Sequence, residues 1–264
     1  MGKIIGVISL KGGVGKTSVV VSLGEAVAGL GKKVLLVDGN LSAPNLGIHL
    51  KIINPEKTLH DVLDNKFQIK EAIYNYGNMD IIPASVFGND RINPLKLKEK
   101  IKPLKKDYDL IIIDSSPALN DETYGVMIAS DSLFVVTTPD FPTMSMTLKA
   151  IKTAKQRGVP IDGIILNKVH NKDFELSLED IESTSEVPVL AVIPHDLNVL
   201  RALSEFRPYT QYELKSEGTR EFKKLASTLV GEKYNQTHLH RFLRWIVPKK
   251  QEINRTLFYQ RVFN

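Results

Sequence analysis

The stretch Lys11-Gly-Gly-Val-Gly-Lys-Thr17 decides the fold because of what stands on either side of it. An apolar segment, residues 4–8, precedes it, and residues 17–30 carry helical periodicity that ends at a glycine. A glycine-rich turn between a strand and a helix lets consecutive backbone N–H groups face phosphate oxygens, and the helix dipole adds a favourable potential. In such a loop Lys16 reaches the terminal phosphates and the Thr17 hydroxyl ligates Mg²⁺. The sequence therefore predicts a phosphate-binding loop.

Short segments rich in Ile and Val alternate with helical stretches outward from this loop. Their apolar runs are mostly continuous, which is typical of parallel strands covered on both faces. Strands are predicted at residues 4–8, 34–37, 110–113, 133–136, 161–166 and 189–193, and helices at residues 17–30, 144–156, 197–203 and 219–230. This order predicts an α/β fold, a doubly wound and mainly parallel sheet with helices on both faces. A C-terminal amphipathic helical tail is expected to follow it.

The composition is that of an ordinary globular protein, with 264 residues, 42% hydrophobic and 25% charged. The chain has no cysteine, which excludes disulfides, thiolate iron–sulfur ligation and a cysteine nucleophile. We expect no signal peptide, and no apolar run approaches the roughly 20 residues of a membrane span. These features favour a cytoplasmic location.

The net charge of +5 is unevenly distributed. Residues 1–231 hold 28 basic and 28 acidic side chains, whereas residues 232–264 hold 7 basic and 2 acidic ones. We therefore predict a neutral globular body at residues 1–231 and a basic tail at residues 232–264 that seeks an anionic surface. The lysine-rich residues 96–106 are interpreted as a solvated helix face.

The tail contains the sequence HLHRFLRWIV at residues 238–247. Four of its apolar side chains share one helical face, and arginines and a tryptophan flank them, which is typical of an interfacial membrane helix. The membrane-binding residues are predicted to be Leu239, Phe242, Leu243, Trp245 and Ile246. Two alternatives stay open, a helix that packs back on the body and a helix that binds a protein partner. Residues 253–258 could form a second amphipathic stretch.

Two predicted strands end in carboxylates. Residues 34–37 lead into Asp38-Gly-Asn40, and residues 110–113 lead into Asp114. Ligands lie at the carboxyl ends of the strands in this type of sheet, so both carboxylates are expected beside the phosphate loop. Thr17, Asp38 and Asp114 are therefore the candidate magnesium ligands, acting directly or through water.

The loop lacks the first glycine of the general pattern, since Leu10 stands there. The string KGGVGKT resembles the deviant Walker A loop of the MinD/ParA family of ATPases. The resemblance extends over residues 3–230, and it implies that Lys11 reaches the partner's nucleotide across an ATP-bound homodimer. It also implies an adenine contact at Asn167 and a base-closing loop at Pro194-His-Asp196. The implied ATP-binding residues are Lys11, Gly12, Gly13, Val14, Gly15, Lys16, Thr17, Ser18, Asn167, Pro194, His195 and Asp196.

Relatives usually carry D-x-D in the segment that this resemblance identifies as switch I, and here the second position is Asn40. A neutral amide orients water but cannot accept its proton. The implied catalytic residues are Lys11, Lys16, Asp38 and Asn40, and slow hydrolysis of ATP is expected. An ATP-loaded scaffold that hardly turns over is the alternative.

The resemblance is nearest to MinD-like proteins. It implies ATP and Mg²⁺ as cofactors, a homodimer, and attachment through the tail to the inner face of the cell membrane, in cell division or spatial organisation. An unidentified protein partner or activator is expected. A ParA-like DNA-partition ATPase is the alternative, and the neutral body makes DNA a less favoured partner.

Overall fold

The computed structural model describes residues 2–88, 92–232, 234 and 249–263. Its strands are β1 (Lys3–Ile8), β2 (Val34–Asp38), β3 (Tyr74–Tyr76), β4 (Met79–Ile82), β5 (Leu110–Asp114), β6 (Ser132–Thr137), β7 (Ile161–Val169) and β8 (Val189–Pro194). Its helices are α1 (Lys16–Ala28), α2 (Leu46–His49), α3 (Leu59–Leu63), α4 (Leu97–Ile101), α5 (Asp121–Ala129), α6 (Phe141–Gln156), α7 (Leu178–Ser185), α8 (Asn198–Ser204), α9 (Tyr209–Tyr212), α10 (Glu217–Leu229) and α11 (Lys250–Phe263). Short 3₁₀ turns cover Ile69–Ala72, Pro94–Lys96 and Lys102–Lys106.

The eight strands form one sheet in the order β3-β4-β2-β5-β1-β6-β7-β8. All pairs are parallel except β3 with β4, so the predicted doubly wound α/β fold is confirmed. The chain winds outward in both directions from the centre, and β1 lies between β5 and β6. The phosphate loop follows β1 and therefore lies where ligands bind in such sheets.

Strand β1 shows how the sheet separates two cores. Ile4 and Ile8 pack into the cluster formed with α3 to α7, whereas Ile5 and Val7 pack into the cluster formed with α1, α9, α10 and α11. Side chains alternate across a strand, so an uninterrupted Ile and Val sequence covers both faces.

Helix α6 begins three residues before its predicted start. Asp140 caps it, since its carboxylate accepts a hydrogen bond from Thr143 N at 2.9 Å, and Pro142 lies in the first turn. The sequence analysis overlooked this cap. Phe141 therefore belongs to the helix, and its side chain is 74% exposed.

The lysine-rich residues 96–106 form α4 and its neighbouring 3₁₀ turns. Leu97, Ile101 and Leu104 are buried, whereas most of the lysines face solvent, which confirms the interpretation as a solvated helical surface.

Helix α11 packs against α10 and the edge strand β8. Phe258 is 4% exposed, and Arg255 pairs with Glu221 of α10 at 2.8 Å. The second amphipathic stretch suggested at residues 253–258 therefore lies in a helix, Lys250–Phe263, that packs on the body. Ile253 and Leu257, in contrast, stay exposed on its outer side. The predicted membrane residues at 239–246 lie outside the described residues.

Helices α10 and α11 run in the same direction. Lys249, just before α11, pairs with Glu217 at the start of α10, and Tyr259 donates a hydrogen bond to Gly231 O just beyond its end. Among the described residues, no helix combines the length and the apolar character that crossing a membrane requires.

Candidate functional site

The phosphate loop forms the floor of a cavity of about 200 Å³ at the carboxyl edge of the sheet. Gly13 and Gly15 have φ angles of 80° and 87°, which other residues rarely adopt. A Cβ atom at Gly15 would also lie 2.5 Å from Asn167 Nδ2, so this position requires glycine. The cavity is lined by Lys11, Gly12, Gly13, Val14, Gly15, Lys16, Thr17, Ser18, Asn40, Asn45, His49 and Pro117.

Lys16 and Thr17 both contact the carboxylate of Asp114. Lys16 Nζ lies 2.6 Å from Asp114 Oδ1 and also donates to Ser115 O, and Thr17 Oγ1 donates to Asp114 Oδ2 at 2.6 Å. Lys16 is 7% exposed, so its charge is neutralised here by a buried partner. Incoming phosphates offer Lys16 a second set of charged acceptors.

Asp38 and Asp114 are neighbours in the sheet, at paired positions at the ends of β2 and β5. Both carboxylates are fully buried. Burial, followed by repulsion from Asp114, raises the pKa of Asp38 to about 7. Its oxygens accept hydrogen bonds from the backbone N–H groups of Asn40, Asn45 and Leu46 at 3.2, 3.1 and 2.9 Å, so Asp38 also holds the switch I segment in place.

This set of oxygen donors fits Mg²⁺. A hard divalent cation prefers hydroxyl and carboxylate oxygens and keeps part of its water shell. It also favours the charged form of two adjacent carboxylates that otherwise repel each other. Among the described residues, no group of three or more His, Cys, Asp or Glu side chains is arranged to hold a metal ion.

Asn40 lines the same cavity, but its side-chain amide donates to the backbone of its own segment. It is 3% exposed, and its Nδ2 donates to Ala43 O. Its Oδ1 is buried without a hydrogen-bond partner among the described residues. This oxygen is therefore a buried acceptor beside the phosphate site whose hydrogen-bonding capacity no described residue uses.

A second cavity, of about 140 Å³, lies beside the first and shares Gly15 and Ser18 with it. The predicted base-contacting residues Asn167, Pro194, His195 and Asp196 all line it. Sequence reasoning missed its aromatic wall, which consists of Tyr209 and Phe222 in an edge-to-face pair. Their positions after the last strand carry no motif, so only the fold brings them here.

Two of these residues also support the phosphate loop or the cavity wall. Asn167 Nδ2 donates to Val14 O at 2.7 Å, and its unpredicted neighbour Lys168 donates to Gly13 O at 2.6 Å. Asp196 accepts a hydrogen bond from Tyr209 at 2.7 Å, so its carboxylate points at the protein. Burial and this bond raise the pKa of Tyr209.

Lys11 lies at the rim of the phosphate cavity and is 40% exposed. Its amine donates to Thr143 Oγ1 at 2.6 Å and to Asp140 Oδ1 at 3.3 Å, both at the start of α6. Burial opposes ionisation of Asp140, but hydrogen bonds from Thr138, Thr143 and Lys11 outweigh it and lower its pKa to about 2. In the single chain, Lys11 is therefore held by a carboxylate that the sequence analysis did not single out.

Comparison with known proteins agrees with this geometry. Residues 2–158 match the family model described as an AAA domain. An ATP-binding protein of Methanocaldococcus jannaschii is 35% identical over 233 residues, which cover 87% of this chain and 88% of that protein. The cell-division ATPase MinD of Pyrococcus furiosus superposes with a TM-score of 0.81 at 36% identity, covering 86% of this chain and 98% of that one. MinD of Pyrococcus horikoshii, solved with Mg-ADP, gives 0.81 at 34% identity, covering 87% and 96%.

These similarities agree with three features of the structure: a parallel sheet wound around β1, the loop from Lys11 to Thr17, and an oxygen site for Mg²⁺. ATP and Mg²⁺ are the cofactors that this site takes. The chain belongs to the MinD/ParA family of P-loop ATPases.

Proposed function

We propose that the chain is a MinD-like switch that dimerises around ATP, hydrolyses it slowly and recruits partners to a membrane surface. The observation that carries the proposal is the position of Lys11. Its amine contacts Asp140 and Thr143 at the exposed rim of the cavity, whereas the amine of Lys16 lies in the buried position beside Asp114. A lysine held at the rim is placed to contact a second chain's phosphates rather than its own.

The surface around Lys11 supports a pairing of two chains. Phe141, next to Asp140, is 74% exposed, and Phe174 is 71% exposed. The loop that carries Phe174 lies close to Asp140, because Leu176 N donates a hydrogen bond to Pro139 O. Exposed aromatic side chains beside a charged site are typical of interfaces. A two-fold pair would bury these rings and bring each Lys11 to the partner's nucleotide.

We expect Lys11→Ala to bind ATP but to remain monomeric, where the native chain dimerises with ATP and Mg²⁺. Each charge-assisted contact is worth about 1.5–3 kcal/mol. A two-fold dimer loses two of them, which weakens dimerisation roughly 10²- to 10⁴-fold. Light scattering at matched nucleotide saturation measures this. Lys152→Ala, an exposed lysine on α6, is the control and should dimerise normally. Normal dimerisation of Lys11→Ala would remove the main support for the proposal.

Membrane attachment is proposed from the sequence of the tail. The apolar residues Leu239, Phe242, Leu243, Trp245 and Ile246 stand among arginines, and the whole net charge of +5 belongs to residues 232–264. Because α11 is part of the packed body, we assign the membrane contact to residues 238–247 and not to the whole tail. Two such segments in one dimer bind far more tightly than one.

We expect Phe242→Glu with Ile246→Glu to abolish ATP-dependent binding to anionic vesicles. Each apolar side chain contributes up to about 1.5–3 kcal/mol at full burial, and less at an interface. The control is Ile253→Glu with Leu257→Glu, the same change on the exposed side of α11, which should still bind. Vesicle cosedimentation with ATP and with ADP separates the variants. Equal binding of native protein in both nucleotides would contradict the switch.

The DNA-partition alternative is tested in the same preparation. A ParA-like dimer would bind DNA non-specifically, with an affinity that falls steeply as salt rises. The equal numbers of basic and acidic side chains in residues 1–231 argue against it. Salt-dependent DNA binding by the ATP-bound form, without vesicle binding, would favour that alternative.

A further inference from the structure

Three recesses meet at Ser18. The base cavity and the phosphate cavity share Ser18, so the sugar and the α-phosphate of a bound nucleotide must pass over it. A third recess, of about 10 Å³, shares Ser18, Ser22, Val199 and Tyr209 with the base cavity. His49 lines both this recess and the phosphate cavity, and no motif pointed to it.

The His49 side chain has unused hydrogen-bonding capacity. It is half-buried, and its imidazole nitrogens have no hydrogen-bond partner among the described residues. Burial lowers the pKa of the imidazole below its ordinary value, Lys16 adds to this effect and Asp114 opposes it. A neutral imidazole carries one donor and one acceptor. A group of this kind at the wall of a ligand cavity is suited to a polar part of the ligand.

The backbone holds His49 firmly in this position. Helix α2, which ends at His49, begins at Leu46, whose N–H donates to Asp38 at 2.9 Å. Leu46 and Leu50 are almost completely buried, and a Cβ atom at Gly47 would lie 2.8 Å from Ile52 O. The imidazole is therefore attached to the same segment that carries Asp38 and Asn40.

We propose that His49 is a nucleotide-binding residue that hydrogen-bonds the ribose and α-phosphate part of the nucleotide. The inference rests on the ATP binding of the proposed function and adds a contact that links switch I to the nucleotide in both its ATP and ADP forms. Lys11 and Asn40, in contrast, act at the terminal phosphate. The contact holds the α2 end of switch I on the nucleotide after the terminal phosphate has gone.

The experiment is calorimetry of the full chain with ADP, ATP and 2′-deoxy-ADP. We expect His49→Ala to weaken ADP and ATP binding by a similar factor, roughly tenfold. His49→Gln, which keeps a donor and an acceptor, should retain most of the affinity. Ile48→Ala changes the exposed neighbour on the same helix and should bind as the native chain does. If the ribose 2′-hydroxyl is the contact, 2′-deoxy-ADP binds the native chain more weakly and His49→Ala costs it nothing further. If the α-phosphate is the contact, the loss in His49→Ala is the same for both sugars.

Unchanged ADP and ATP affinities in a folded His49→Ala would overturn the inference, as would an equal loss in His49→Gln and His49→Ala. A loss for ATP alone would place the contact at the terminal phosphate and would also overturn it. These outcomes differ from failure of the proposed function, in which the native chain would bind neither nucleotide or would bind ATP without dimerising.

Discussion

Asn40→Asp will hydrolyse ATP faster than the native chain, by roughly 10²- to 10⁴-fold in a single turnover, the usual contribution of a general base. Asn40 lines the phosphate cavity, but its amide cannot take a proton from water. A carboxylate at this position loses the donor to Ala43 O and meets repulsion from Asp38 and Asp114, so it turns toward the cavity. Phosphate release at saturating ATP and matched dimer fraction measures the rate.

Asn45→Asp is the matched control. Asn45 lines the same cavity, and its Nδ2 also donates to Ala43 O, at 2.8 Å. The control therefore makes the same change of charge a few residues away, and its rate should stay near that of the native chain. Equal acceleration in both variants would mean that negative charge, and not a base at residue 40, sets the rate. A native rate as high as that of Asn40→Asp would show that water positioning by the amide suffices.

Arg255→Ala is expected to lower the free energy of unfolding by about 3–5 kcal/mol, because it leaves the Glu221 carboxylate buried without its main partner. Glu221 is 3% exposed, and Arg255 also donates to Leu190 O at 2.8 Å. Burial opposes ionisation of Glu221, but Arg255 and Lys224 outweigh it and lower its pKa. The contribution of this network is thus present at neutral pH and is lost as the pH falls through that depressed pKa.

Arg261→Ala is the control on the same helix. Arg261 is 59% exposed and lies 3.2 Å from Asp162, so its loss should cost less than about 1 kcal/mol. Urea unfolding followed by circular dichroism gives both values. A second variant, Glu221→Gln with Arg255→Met, removes both charges and should recover part of the loss. Equal costs for Arg255→Ala and Arg261→Ala would mean that α11 contributes little to the body.

The central sheet and the phosphate loop could be predicted because each depends on local sequence. Continuous Ile and Val runs gave all six predicted strands, and the glycine spacing gave the loop. Strands β3 and β4 escaped because they have only three and four residues and are joined through the turn at Gly77. Strand β4 joins the sheet by pairing with β2, a contact between distant segments that local sequence patterns do not reveal.

The rest of the site escaped because tertiary contacts assemble it. Asp140 holds Lys11 across 129 positions of sequence, and the Tyr209–Phe222 wall reaches the base cavity only after α10 has packed on the sheet. The docking of α11 depends on a buried ion pair between residues 34 positions apart. Amphipathic periodicity indicated that the tail is helical, but periodicity does not show which surface a helix covers.

The cover that α11 gives to β8 has a consequence for how copies of the chain can assemble. Asn254 donates to Val189 O and Arg255 to Leu190 O, so side chains occupy backbone acceptors that a foreign strand would use. At the opposite border the short antiparallel β3 ends the sheet. Because one edge strand is covered and the other is short, strands from neighbouring copies have little edge to pair with, and such pairing is the usual route to fibrils. Copies of this chain are left to meet through their faces, where an isologous two-fold contact closes on itself and leaves no surface for a third copy.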